Sequence, residues 1–256
     1  MNKALSYILI FAGIQILATV LVNAVLQFSG HGELIDSPYK NIVAMIIFAM
    51  VTAFVFIKAG WAAPDSNYLM SRPWIVISWS VIAAMGAVLP SMAFQEQMPE
   101  LPNIVEEEMT AIINAHGGYF VVCLLVPLVE ELVFRGAILR VLLQWKSSHP
   151  WSMIIISALL FSLIHMNPAQ MPHAFIIGIL LGWMYYRTRS IVPGVAFHWA
   201  NNTIAVVLAR LYPDPNIHLI DIFGTQRTVA AAVLFSLFIL IPAIYQLHLW
   251  MKPLKK

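Results

Sequence analysis

The chain has 256 residues, of which 61% are hydrophobic and 10% charged, with a mean hydropathy of +0.82. Ordinary soluble domains are about 25% charged, so a water-soluble globular protein is excluded and a polytopic membrane protein remains. A net charge of +2 gives no case for a nucleic-acid partner, and the single cysteine, Cys123, reads as a small buried hydrophobe without a disulfide partner in the chain.

Eight apolar stretches are long enough, or nearly so, to cross a hydrocarbon core about 30 Å thick as helices. The first, 4–28, exceeds the apolar core of a signal peptide and reads as a retained helix. The second and third are 41–57 and 73–94. An acidic loop follows, in which Asn103 is the expected N-cap of a short helix with Glu106, Glu107 and Glu108 in or near its first turn, where the helix dipole favours them. Ile104, Val105, Met109, Ile112 and Ile113 share one face of it, and Gly117-Gly118 ends it, which describes an interfacial helix. The remaining stretches are 117–140, 151–166, 171–187, 191–211 and 228–250. The fifth and sixth are short and joined by Asn167-Pro-Ala-Gln-Met-Pro172, a tight turn with two prolines. The expected fold is all-α: a helical membrane bundle of about eight spans, one integral-membrane domain over 1–256.

The distribution of Lys and Arg orients the bundle. With both termini in the cytoplasm, the inner segments hold Lys3, Lys58, Arg72, Arg135, Arg140, Lys146, Arg187, Arg189, Lys252, Lys255 and Lys256, and the outer ones Lys40, Arg210 and Arg227. Discounting Arg135, which sits inside a span, leaves 10 against 3, as the positive-inside rule requires for an even number of spans with both ends inside. This orientation puts the acidic loop outside, and the length and compactness of the chain make a bacterial inner membrane the expected location.

Of the 12 Asp and Glu, only Glu130 and Glu131 fall within a predicted span. A carboxylate there costs at least ~2.5–3.5 kcal/mol, and its default reading is functional. Glu131 and Arg135 are four residues apart, as a self-neutralising ion pair would be, whereas Glu130 has Phe134 at that spacing and must find its partner on another helix. Two further patterns repeat the spacing of four: Phe161 with His165 on the fifth span, and His198 with Asn202 on the seventh. A lone histidine in a membrane often makes only an interhelical hydrogen bond; Glu130, His165 and His198 together make that reading weaker. His31, His116, His149, His173, His218 and His248 fall in loops or at span ends and carry no case. At about 1.5 Å per residue the three groups lie roughly 10–20 Å from the cytoplasmic face, and Pro127, one turn before Glu130, should loosen the fourth span.

A carboxylate and an imidazole can hold one water between them and take its proton. A second imidazole and an amide can donate to one developing oxyanion. These are the parts of amide hydrolysis. The rival chemistry is a zinc ion held by Glu130, His165 and His198, although no HExxH motif is present. No Ser or Cys pairs with a base in a recognisable motif.

The patterns Glu130-Glu131-xxx-Arg135, Phe161-xxx-His165 and His198-xxx-Asn202, in this order on successive membrane helices, resemble the CAAX protease and bacteriocin-processing family, also called CPBP or Abi, which is related to the type II CAAX prenyl endopeptidases. The resemblance covers about 117–211, which it implies is the catalytic core. It implies an intramembrane endopeptidase acting on a membrane-associated or lipidated peptide or protein. Glu130 would be the catalytic carboxylate, His165 would share its water, His198 and Asn202 would form the oxyanion hole, and Glu131, Arg135 and Phe161 would support the site. Relatives have been labelled metalloproteases; glutamate-based activation with no cofactor explains the same residues and is preferred. Relatives that act in bacteriocin immunity supply the alternative, a non-catalytic binding, immunity or scaffold protein of the same fold. A transporter is a distant third, since no inverted repeat supports it. Neither substrate identity nor oligomeric state is readable in the residues.

Overall fold

The computed structural model describes residues 2–62, 66–214 and 217–251. Lys252, Lys255 and Lys256, counted above, lie outside the described residues. Among those described, all regular structure is helical. The elements are α1 (Asn2–Phe28), α2 (Pro38–Lys58), α3 (Ser66–Met70), α4 (Trp74–Glu96), α5 (Glu106–Asn114), α6 (Val126–Val133), α7 (Arg140–Trp145), α8 (Pro150–Leu163), α9 (Met171–Thr188), α10 (Val192–Leu211), α11 (Leu219–Phe223) and α12 (Gln226–Trp250). The protein is a helical membrane bundle, as the sequence predicts. α1, α2, α4 and α12 are each long and apolar enough to cross a bilayer.

The predicted fourth span is one rod in which α6 and α7 are joined to π-helical turns at Phe120–Leu125 and Phe134–Leu139. Pro127 accounts for the first irregularity. Val126 donates its N–H five residues back, to Val121 O. The next bond of that series would run from residue 127 to Val122 O, and proline has no N–H to give. Asn202 Nδ2 of α10 supplies the missing donor, 3.1 Å from Val122 O. At the second turn, Ser157 Oγ of α8 donates to Phe134 O at 3.2 Å. Irregular backbone at membrane depth is tolerated where neighbouring helices satisfy it, and two neighbours do so here.

α8 differs from the expectation. It has 14 residues, or about 21 Å at 1.5 Å per residue, too short to cross alone. It forms a hairpin with α9 whose turn is covered by the acidic loop. Ala169 N donates to Pro102 O (3.3 Å), Ile104 N to Asn167 Oδ1 (3.1 Å), and Asn167 Nδ2 to Asn103 Oδ1 (2.8 Å). Asn103 is therefore not the N-cap of α5: Val105 holds that position without a side-chain bond, and Asn103 instead fastens the loop to the buried Asn167.

Two ties mark the ends of the bundle. Arg187, late in α9, donates to His248 O (2.8 Å) and Met251 O (3.2 Å) at the end of α12. At the opposite end, Arg210 of α10 donates to Ile113 O of α5. The α4–α12 pair packs on α10 away from the site, and its core includes Ala83, Ala84, Phe197, Ala243 and Leu247.

Candidate active site

The two adjacent glutamates separate by environment. Glu131 points into the bundle and is 0% exposed; its Oε1 lies 2.7 Å from Arg135 Nη1, and Arg135 is 1% exposed. The expected i,i+4 pair is thus formed and dry. Arg135 Nη2 also donates to Gly178 O of α9 at 3.3 Å, and the guanidinium carbon stands 4.3 Å over the Phe161 ring. A cation over an aromatic face is worth up to about 2 kcal/mol when desolvated. Phe161 of the second pattern is therefore the platform under Arg135. It also packs edge-on against His165 and His198, with ring centroids 4.9 and 5.8 Å away.

Glycines make room for this bracket. A Cβ on Gly194, in the first turn of α10, would stand 2.6 Å from Glu131 Oε2. One on Gly178 would meet Ala158 Cβ at 3.0 Å and Phe161 Cδ1 at 3.3 Å. Neither glycine stands out in the sequence, because the need arises only when the helices are assembled.

Glu130 faces the other way, into a cavity of about 590 Å³ shared with His165, His198 and Asn202. It is 14% exposed, and its partner from another helix is His198, whose Nε2 lies 3.7 Å from Glu130 Oε2. The other ring nitrogen of His198, Nδ1, lies 3.3 Å from Glu131 Oε1. His198 thus stands between the two glutamates, one ring nitrogen toward each.

His165 lies in the turn just past α8 rather than within a helix, a difference from the expected span of 151–166. Its Nδ1 is 2.7 Å from Phe161 O. A carbonyl only accepts, so Nδ1–H donates to it, and Nε2 is the ring nitrogen left for the cavity. Asn202 spends one amide hydrogen on Val122 O and accepts from Asn201 Nδ2 at 3.4 Å, which leaves a second amide hydrogen.

Sequence reasoning set aside His173, yet it lines the same cavity, 3.4 Å by Nε2 from Asn201 Nδ2. Its position two residues into α9 looks terminal in the sequence; the hairpin turn carries it inward. Ser162 is buried and donates to Met171 O at 2.7 Å, so it bridges α8 and α9 and is no nucleophile. Cys123 is buried in the rod. Tyr119 OH accepts from Trp199 Nε1 and meets Thr203 Oγ1, each at 3.2 Å, a second strap between rod and α10.

Among the described residues, no three His, Cys, Asp or Glu side chains are grouped closely enough to hold a metal ion. Glu130, His165 and His198 share a cavity, but as arranged they do not fit a zinc shell.

Comparison with known proteins converges on the same segment. Residues 113–204 match the family model described as type II CAAX prenyl endopeptidase Rce1-like. The matched stretch contains all three patterns, from Glu130 to Asn202. The chain is also 21% identical over 183 residues to the UPF0177 protein YbdI of Lactococcus lactis subsp. lactis (strain IL1403), covering 68% of this chain and 97% of that protein. No solved structure matches significantly. The family resemblance read from the motifs and the family match agree.

Proposed function

We propose that this chain, whose central segment is Rce1-like, is an intramembrane endopeptidase that hydrolyses a peptide bond of a membrane-associated polypeptide with no metal in the reaction. The observation that carries the reading is the division of labour in the Glu-Glu pair: one carboxylate neutralised in a dry bracket, the next open to a cavity lined by His165, His198 and Asn202.

In the proposed reaction a water rests between Glu130 and His165 Nε2. It attacks the scissile carbonyl carbon as Glu130 takes its proton. The carbonyl oxygen becomes an oxyanion held by His198 and by the free amide hydrogen of Asn202. His198 donates there through Nε2–H, while its Nδ1 faces Glu131 Oε1. The C–N bond then breaks, the proton on Glu130 passes to the departing nitrogen, and a carboxylic acid and an amine result. Positioned proton transfer contributes about 10²–10⁴-fold. Each oxyanion donor contributes about 2.7–4 kcal/mol where such donors have been removed.

The test is mass spectrometry of membrane peptides from cells with the wild-type chain against Glu130→Ala. New termini that vanish with the variant support the endopeptidase. Identical peptide populations, with the phenotype of a deletion strain restored by Glu130→Ala, would favour a binding or scaffold protein of this fold.

A further inference from the structure

The cavity runs from the glutamate pair to one end of the bundle only. Every helix that lines it does so with residues on the side away from the chain termini. α1 contributes Phe11, Gln15 and Thr19 from its middle and second half, and α2 contributes Asn41 to Phe48 from its first half. The rod contributes Val122, Val126 and Glu130, and α10 contributes His198 through Ala209. α8 and α9 add only their hairpin end, and α5 lies across the top with Glu108, Met109, Ile112 and Ile113. Gln15, Thr19, Glu108 and Ala205 line the cavity and are exposed, so it opens past α1 and beside α5. A smaller cleft, lined by Asp36, Lys40, Asn41, Glu107 and Glu108, continues the opening at the same end.

The opposite end is sealed. The core below Glu130 is a continuous apolar cluster that includes Leu132, Val133, Phe134, Ile138, Leu139 and Leu142, backed by the buried Glu131–Arg135 pair. That sealed end carries Lys3, Lys58, Arg72, Arg140, Lys146, Arg187 and Arg189 among the described residues, against Lys40, Arg210 and Arg227 at the open end. Basic residues in short loops stay in the cytoplasm.

From these two observations we infer that the cavity opens to the non-cytoplasmic face, and that its substrates are membrane-associated polypeptides whose cleaved segment lies on or within the outer leaflet. A tail anchored on the cytoplasmic side could not reach Glu130 through the sealed end. The substrate half of this inference rests on the endopeptidase reading; the orientation half does not.

The experiment uses a full-length Cys123→Ser background carrying one new cysteine at a time: Glu108→Cys at the mouth, Ala174→Cys at a buried position inside the cavity, and Lys146→Cys at the sealed end. Ala44→Cys is a second buried, cavity-lining position should Ala174→Cys fold poorly in detergent melting. Whole cells are treated with a charged, membrane-impermeant maleimide before and after permeabilisation. Glu108→Cys and the interior cysteine should label in intact cells, and Lys146→Cys only afterwards. The reverse pattern, or an interior cysteine reached only from the cytoplasm or from neither side, overturns the orientation. Peptide mass spectrometry then reads the substrate separately. Glu130-dependent termini should map to outer segments; termini confined to cytoplasmic segments overturn the substrate class. Outside labelling with no Glu130-dependent cleavage overturns the endopeptidase reading, and with it the substrate class, while the orientation stands.

Discussion

The floor of the site and the cavity above it are built from neighbouring residues with opposite logic. In the floor, Glu131, Arg135, Phe161 and Gly178 are dry and locked: a 2.7 Å ion pair, a cation over a ring, and a guanidinium bond to a backbone carbonyl. In the cavity, Glu130, His165, His173, Asn201 and Asn202 keep some exposure and are joined by longer, sparser bonds, such as the 3.7 Å approach of His198 to Glu130. One residue step along a helix turns a side chain by about 100°, which is enough to move a carboxylate from one region to the other. The difference teaches that adjacent charges in a membrane helix can be dry and locked in one case and open to a cavity in the next, with the partner deciding which. His198 touches both regions and couples them.

The largest expected effect that would sharpen this contrast is on stability. Glu131→Gln strands the buried Arg135, and breaking a buried pair costs about 3–5 kcal/mol. Thermal unfolding in detergent should show a large drop, and Glu131→Gln with Arg135→Gln should regain part of it. Asn202→Ala comes next. It removes the proposed oxyanion donor, so on that proposal cleavage should fall about a hundredfold or more. It also orphans Val122 O, which Pro127 cannot satisfy, so stability should fall by about 1–3 kcal/mol. A variant that lost activity with an unchanged melting point would show that the Val122 bond contributes little. Gly194→Ala brings a methyl to 2.6 Å from Glu131 Oε2. Such overpacking costs about 1–3 kcal/mol, and the same melting assay should detect it. A strong chelator should change nothing: purified protein stays active and elemental analysis finds no stoichiometric zinc. One zinc per active chain, lost together with activity, would replace the water-activating glutamate with a metal-based account.

Much of this arrangement could be read from the residues. The apolar stretches located the long helices, because hydrophobic length is set by the bilayer. The three patterns at spacing four brought Glu130, His165, His198 and Asn202 to one cavity and paired Glu131 with Arg135. The rest depended on assembly. His173 looked terminal because α9 starts beside it, yet the hairpin turn carries it into the cavity. Asn103 had the chemistry of an N-cap, but the buried Asn167 outbid the helix for it. Pro127 signalled irregularity; that Asn202 would fill the gap it leaves could not be seen without knowing which face of α10 meets the rod. Gly178 and Gly194 read as ordinary helix glycines until a ring or a carboxylate is set against them.

The central claim is that Glu130 does chemistry and Glu131 holds the floor. It is tested most directly by measuring Glu130→Gln and Glu131→Gln together, by cleavage of a peptide recovered from the membrane comparison and by thermal unfolding in the same detergent. The account predicts that Glu130→Gln melts like the wild type with cleavage reduced by about 10²–10⁴-fold, while Glu131→Gln melts markedly lower. Near-normal cleavage by Glu130→Gln beside a stable, inactive Glu131→Gln would contradict it and exchange the roles of the two residues.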